Sequence, residues 1–260
     1  MKLAILRIVF LLGIFILVFT LGCKKAFDYL SDHKLVGFCQ IKKITFTGIF
    51  PTPDTAVFTY NSQGDPVSII RRWTGTGYTN FLFRYDGLHR LTDQINVYGV
   101  DVSELNPPES WNKYFYDDKG RIALDSQYFF PNLVNGKPVP GQLGAVSIFK
   151  YEYDPFDRLI SVTWEQLDKV NSITNYSYDA NGNLTGRVYD DKINFHRCNK
   201  IWMFLARDYS VNNPLNAFYT YNRTGLPVNI DCTKGNSENF MDEMMGFFGF
   251  NQADIEYGCP

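Results

Sequence analysis

The side chains that could do chemistry are few. The chain has three histidines: His33 in a polar N-terminal segment, His89 in a turn, and His196 near Asp190 and Asp191 of "DDKINFHRC". A carboxylate holding an imidazole is the arrangement of a general base. His196 with Asp190 or Asp191 is therefore the candidate for hydrolysis. No Gly-x-Ser-x-Gly elbow accompanies it. A loop histidine beside solvated acids explains the same residues, so the expectation is no enzyme. "DANGN" (179–183) sets oxygens at alternate positions as a calcium loop does, but lacks that pattern's distal glutamate. Cys39, Cys198, Cys232 and Cys259 are too widely spaced for the paired ligands of a zinc site. No metal and no cofactor are expected. In an oxidising compartment four cysteines allow two disulfides in three connectivities, and the sequence leaves the pairing open.

Aromatic residues make up 17% of the chain, and exposed rings stack on sugars or dock protein partners. Trp73, beside the Gly-Thr-Gly of "RRWTGTGYTNF", and Trp202, in "NKIWMFLARDY", are the candidate binding residues. Trp202 has a competing use: with Phe204 and Tyr209 it can plug one face of a sheet. Ten of the 17 tyrosines fall within one repeated phrase, and that phrase must position everything else.

The copies read "FTYNSQGDPV" (58–67), "FRYDGLHRL" (83–91), "YFYDDKGRI" (114–122), "YEYDPFDRL" (151–159), "YSYDANGNL" (176–184) and "YTYNRTGLPV" (219–228). Each has an aromatic, any residue, a tyrosine (Tyr60, Tyr85, Tyr116, Tyr153, Tyr178, Tyr221), then Asp or Asn, a turn and an aliphatic. Residues i and i+2 of a strand share a face. Asp86, Asp117, Asp154 and Asp179, with their asparagine counterparts, suit the first position of a type I turn. Gly120, Gly182 and Gly225 suit the left-handed residue that ends a three-residue hairpin loop. Where that glycine is absent the chain has His89 and Asp157, residue types that tolerate positive φ. This register sets Asp86 opposite Arg90, Asp117 opposite Arg121, Asp154 opposite Arg158 and Asp179 opposite Asn183. Tyr178 then faces Leu184, and the charges point away from the Tyr/Leu face. A lone hairpin is marginal, but six in series make a sheet. The expected fold is all-β: an antiparallel, curved sheet of successive hairpins with minor short helices. Residues 38–48, 158–167, 184–191 and 253–259 read as further strands, and "PNLVNGKPVPG" (131–141) as a loop.

The closest copies, "YDDKGRI", "YDPFDRL" and "YDANGNL", resemble the YD repeats of the Rhs family over roughly residues 58–228. In that family the repeats build long antiparallel sheets that curl into shells around a toxic C-terminal cargo. This chain departs from the pattern, with six copies spaced 25, 31, 37, 25 and 43 residues apart and no cargo domain after them. It looks like the small lipoprotein-type relatives that carry a few such repeats. The resemblance implies a fold and assigns no activity.

The chain opens "MKLAILRIVFLLGIFILVFTLGCKK". Lys2 and Arg7, an apolar run and the small residue Gly22 form a secretory signal over 1–22. Cys23 resembles the lipidated cysteine of the bacterial lipobox, although Thr20 and Leu21 depart from its usual residues. A tether (23–37) and one β domain (38–260) follow. Losing Lys2 and Arg7 takes the net charge from −2 to −4, which offers nucleic acid no basic face. The expected protein is lipid-anchored in the cell envelope, at the periplasmic face or surface of a Gram-negative bacterium. Its partners are the membrane, through the anchor, and a protein or glycan ligand. The sequence thus points to a non-enzymatic envelope lipoprotein that is a structural or binding module. A toxin-system accessory and an envelope hydrolase using His196 stay open beside it.

Overall fold

The computed structural model describes residues 39–48, 52–142, 144–234 and 250–259. The signal, Cys23, the tether with His33, and most of the Met- and Phe-rich stretch 237–250 lie outside them. β1 (Gln40–Thr47) is followed by three hairpins: β2 (Asp54–Tyr60) with β3 (Pro66–Arg71), β4 (Asn80–Tyr85) with β5 (Leu91–Val97), and β6 (Ser110–Tyr116) with β7 (Ile122–Phe129). A small hairpin, β8 (Asn132–Val134) and β9 (Lys137–Val139), precedes β10 (Ser147–Tyr153), β11 (Leu159–Gln166) and β12 (Lys169–Asn175). β13 (Tyr189–Ile193) and β14 (Asn212–Pro214) flank a helix, α1 (Lys200–Leu205), and then come β15 (Phe218–Tyr221), β16 (Pro227–Asp231) and β17 (Gln252–Gly258).

All six tyrosine phrases make the same turn. The N–H of the Asp or Asn donates to the carbonyl four residues on, as in Asp86 to Arg90 (3.0 Å) and Asp179 to Asn183 (2.8 Å). The side-chain oxygen of that residue accepts two more backbone N–H groups. Asp117 Oδ1 takes Lys119 and Arg121, both at 2.9 Å, and Asn61 and Asn222 do the same in their copies. The fourth turn residue has positive φ in every copy, including His89 at 58° and Asp157 at 60°. Tyr178 bridges Leu184 as its register requires. In the first and last copies Pro66 and Pro227 stand opposite the tyrosine, where the other copies have the aliphatic. Proline is tolerated there because it is the first residue of its strand.

The tyrosines also join one hairpin to the next. Tyr85 Oη donates to the Pro66 carbonyl, Tyr116 to Leu91, Tyr153 to Ile122 and Tyr178 to Leu159, at 2.7–2.9 Å. Each acceptor is the first residue of the preceding hairpin's return strand. Burial pushes these phenols above their ordinary pKa, so they stay protonated donors. The turn arginines complete the clasp. Arg90, Arg121 and Arg158 grip Asp86, Asp117 and Asp154 with Nε and Nη2. Each guanidinium then lies over the tyrosine of the next copy, 4.8 Å from Tyr116, 4.9 Å from Tyr153 and 4.2 Å from Tyr178. The charges therefore do not simply point away from the aromatic face, because they cap the neighbouring ring.

Among the described residues thirteen strands form one open antiparallel sheet in the order β12-β11-β10-β7-β6-β5-β4-β3-β2-β1-β17-β16-β15. Every Asp or Asn turn lies at one end. The last strand sits beside the first, and there a disulfide, Cys39–Cys259, stands where the other pairs have a turn. Tyr257 Oη donates to Pro227 and Tyr60 Oη to Ile41, both at 2.8 Å, so the clasp runs unbroken through this seam. Tyr221, on the edge strand β15, has no preceding hairpin, and its hydroxyl binds Asp190 instead.

After β12 the chain leaves one edge of the sheet and re-enters at the other, on β15. The crossing segment supplies the plug. Trp202 meets Phe58 and Phe83 edge-on at 5.4 and 5.9 Å, and Phe204 meets Tyr114 and Tyr151 at 5.7 and 5.0 Å. A flat sheet of 13 strands would be roughly 60 Å wide, yet one core cluster takes side chains from β1 through β7, from β10 and β11, and from β16 and β17 around this six-residue helix. That is possible only because the sheet curves around it.

Four expectations need correction. The return strand over 184–191 does not form. Leu184 makes one bridge, then a turn at Gly186 (φ 83°) carries the chain off the sheet, and strand resumes only at Tyr189. Residues 131–141 are not all loop, since Asn135-Gly136, both at positive φ, turns the β8–β9 hairpin. Among the described residues one disulfide forms where two were allowed, and Cys198 and Cys232 are thiols. Trp202 is no binding residue, because packing in the plug leaves it 0% exposed.

Tyr153→Phe leaves the Ile122 carbonyl without its donor and should cost about 1 kcal/mol. Combined with Tyr60→Phe, several strands away, the losses should add in urea unfolding. Reducing the Cys39–Cys259 bridge, which spans 220 residues, should lower stability by up to about 5 kcal/mol, read as a shift of the urea midpoint under reductant.

Candidate functional site

The structure separates the candidate hydrolytic pair. His196 lies in a short 3₁₀ turn (Phe195–Cys198) whose cap, Asn194, accepts the His196 N–H. This turns the ring inward, against Phe195 at 4.1 Å. Its neighbouring carboxylate is Asp208, at 4.0 Å from Nδ1. Asp190 instead takes the Asn213 N–H (3.0 Å) and the Tyr221 hydroxyl, and Asp191 pairs with Lys192. His196 is buried, away from any surface where a substrate would sit. "DANGN" is a turn whose Asp179 Oδ1 is spent on the N–H groups of Asn181 and Asn183. Among the described residues no three His, Cys, Asp or Glu side chains converge as a metal site. Burial pushes the Cys198 thiol up to about 12 and so makes it a poor nucleophile.

Beyond exposed strand positions such as Phe115, Val170, Ile173 and Phe218, the accessible loops and turns lie at the two ends of the sheet. At the end opposite the tyrosine turns, three loops meet at Glu109. Gly77 N–H donates to its carboxylate at 2.9 Å, Tyr98 Oη binds the same group, and Phe130 N–H donates to its carbonyl at 2.9 Å. Thr74 Oγ1 also reaches the Tyr98 carbonyl at 3.2 Å. Trp73 is presented there, 45% exposed, with the Arg72 guanidinium 5.2 Å from its ring. Val100, Leu105 and Phe130 on the same loops are exposed too. The other tryptophans are occupied. Trp111 stacks on Tyr128 at 4.7 Å in a second cluster on the outer face, and Trp164 stacks on Phe149 at 6.2 Å.

At the turn end a cleft of about 580 Å³ opens between the third, fourth and fifth turns and the plug. Tyr116, Tyr153, Phe156 and Tyr209 line it. So do six cations, Arg90, Lys119, Arg121, Arg158, Arg197 and Lys200, beside Asp157 and Asp179. Position in the phrase predicts the turn arginines. It does not predict Arg197 and Lys200, which come from the crossing segment.

The inner face also holds a buried acid. Asp125 on β7 receives Asn112 Nδ2 at 3.1 and 3.0 Å and Tyr151 Oη at 3.3 Å, with Tyr114 and the cationic Arg207 nearby. Burial pushes its carboxyl up to about 7, against the opposing pull of Asn112, Tyr151 and Arg207.

The fold and these surfaces define an open, plugged sheet of tyrosine-clasped hairpins. No family model matches the chain, and no curated protein matches it. Among solved structures it is similar to a porin-like protein from Bacteroides uniformis, at 12% identity and TM-score 0.41, over 85% of this chain and 98% of that one. It is also similar to a chain of a TcdB2-TccC3-Cdc42 structure, at 15% identity and TM-score 0.23, over 70% of this chain and 9% of that one. A chain of the Photorhabdus luminescens Tc holotoxin pore gives 14% identity and TM-score 0.23, over 80% of this chain and 10% of that one. This chain thus spans about a tenth of the two toxin chains. At these levels the likenesses assign no activity and no ligand.

Between about pH 4 and the raised value of about 7, folded Asp125 holds a proton that the unfolded chain has released. Stability should therefore fall as pH rises through that window, by up to about 1.4 kcal/mol per pH unit. Asp125→Asn should flatten this slope and raise the urea midpoint at pH 8 more than at pH 5.

Proposed function

We propose that this chain is a non-enzymatic cell-envelope lipoprotein built on YD-type repeats, anchored through Cys23, which binds a protein or glycan at the loop end of its sheet. The observation that carries the reading is the presentation of Trp73. The aromatic face of the sheet is consumed by the plug, and Trp202 is buried within it. Trp73 instead stands in solvent on loops braced through Glu109. A large exposed ring beside a cation, on a rigid support, is the usual anchor of a sugar or protein contact. The six-hairpin scaffold gives the loops that support, and the signal and lipobox-like Cys23 are the sequence features that place the scaffold in the envelope. The hydrolase alternative loses its motivation, because His196 keeps company with Asp208 in the interior.

The test uses the soluble form beginning at Lys24 on a glycan array and in pull-down from envelope extract, beside the Trp73→Ala variant. A ligand bound at least tenfold more weakly by Trp73→Ala, with an unchanged melting temperature, supports the reading. Equal binding by both forms, or recovery of Cys23→Ser full-length protein in the membrane fraction as efficiently as wild type, counts against it.

A further inference from the structure

The turn end carries a second pattern that neither the repeat architecture nor a partner at the loop end requires. Each turn has one residue at its tip, the third of five. In the second, third and fourth turns, which are consecutive in the sheet, those tips are Leu88, Lys119 and Phe156. Leu88 is 72% and Phe156 54% exposed. Neither is needed by the turn, since the first, fifth and sixth turns have Gln63, Asn181 and Thr224 at that position. Two exposed apolar side chains flanking a cation is a pattern that enters the headgroup layer of a bilayer.

The cleft behind these tips adds the polar half. Arg90, Arg121 and Arg158 are engaged with the turn aspartates. The lining acids are engaged as well, Asp157 with Arg121 and Asp179 with its own turn N–H groups. Lys119 and Lys200 are exposed and make no ion pair among the described residues. Asp179 makes no ion pair among the described residues, but Lys119 and Lys200 outnumber it, and this excess donor charge matches an anionic acceptor such as a phosphodiester. A cleft of about 580 Å³ is large enough for a lipid headgroup. The same end holds Cys39, where the polypeptide enters the sheet beside Cys259. Cys23 precedes it by 16 residues, at most roughly 55 Å of chain, so an anchor there keeps this end within reach of the bilayer.

We infer that the turn end is a membrane-contact surface for anionic phospholipid, with Leu88 and Phe156 entering the headgroup layer and Lys119 and Lys200 taking a lipid phosphate at the cleft. This rests on the envelope reading, but it concerns the opposite end of the sheet from Trp73.

The test is co-sedimentation of the soluble form beginning at Lys24, which has no lipid, with phosphatidylglycerol/phosphatidylethanolamine vesicles. Phosphatidylcholine vesicles and glycerol phosphate serve as the other arms. Binding to the anionic vesicles that weakens as salt rises is expected. Lys119→Ala with Lys200→Ala should weaken it about 30-fold, taking each lysine as worth about a factor of five near an anionic surface. Leu88→Ser with Phe156→Ser should weaken it in both salt conditions. All four side chains are exposed, so the variants should melt as wild type does. Sedimentation that is absent, or unchanged in both double variants, overturns the inference. Binding of glycerol phosphate with no vesicle binding also overturns it, and points to a soluble phosphate ligand. None of these results alters the Trp73 comparison, so failure at one end is distinguishable from failure at the other.

Discussion

One hydrogen bond recurs through this protein and sets its shape: a tyrosine hydroxyl held by a carbonyl at the turn-end start of a strand before it in the sheet. The bond explains why the phrase has tyrosine at that site where phenylalanine would pack equally well. It sets the stagger between hairpins, and at Tyr116, Tyr153 and Tyr178 an arginine of the preceding turn also covers the ring. Six such contacts, at 2.7–2.9 Å, run from Tyr257 through Tyr60 to Tyr178. Each is worth about 1 kcal/mol, yet together they pull 13 strands into one curved surface. Curvature then creates a hollow, and the segment that travels from β12 to β15 fills it.

Net charge conceals how the charges are arranged. The chain is mildly acidic as a whole, but the phrase places an arginine at the end of three adjacent turns, and the crossing segment adds Arg197 and Lys200 beside them. The two ends of the sheet therefore differ in character although both grow from the same strands. One is a row of tight turns with cations between them. The other is a set of longer, irregular loops that carry the exposed rings of Trp73 and Phe130.

Much of this was legible in the sequence, for a local reason. Turn geometry depends on five consecutive residues, so Asp or Asn, the left-handed residue and the closing pair could be read directly, down to His89 and Asp157. The Trp202 plug was legible as a break in the repeat. Long-range facts were not. Tyr257 continues the clasp without the Asp or Asn that marks the other copies. Cys39 and Cys259 meet only because the last strand lies beside the first. Asp190 and His196 are close in sequence, but the cap at Asn194 points them to different partners. Leu167 and Asp168, both at positive φ, make the β11–β12 turn with residues that carry no glycine signal.

The seam between the last strand and the first has a topological meaning. Apart from the crossing segment and the β8–β9 hairpin, the sheet is a single up-and-down meander whose strands stay in chain order if counting starts at β15, passes β17 and continues with β1. The chain is thus a rotated version of a simpler thread, cut between two neighbours and sewn shut with sulfur. Its architecture has no obligatory first strand. A chain opened at another loop, with Cys39 and Cys259 joined by a short turn, would keep the same strand order.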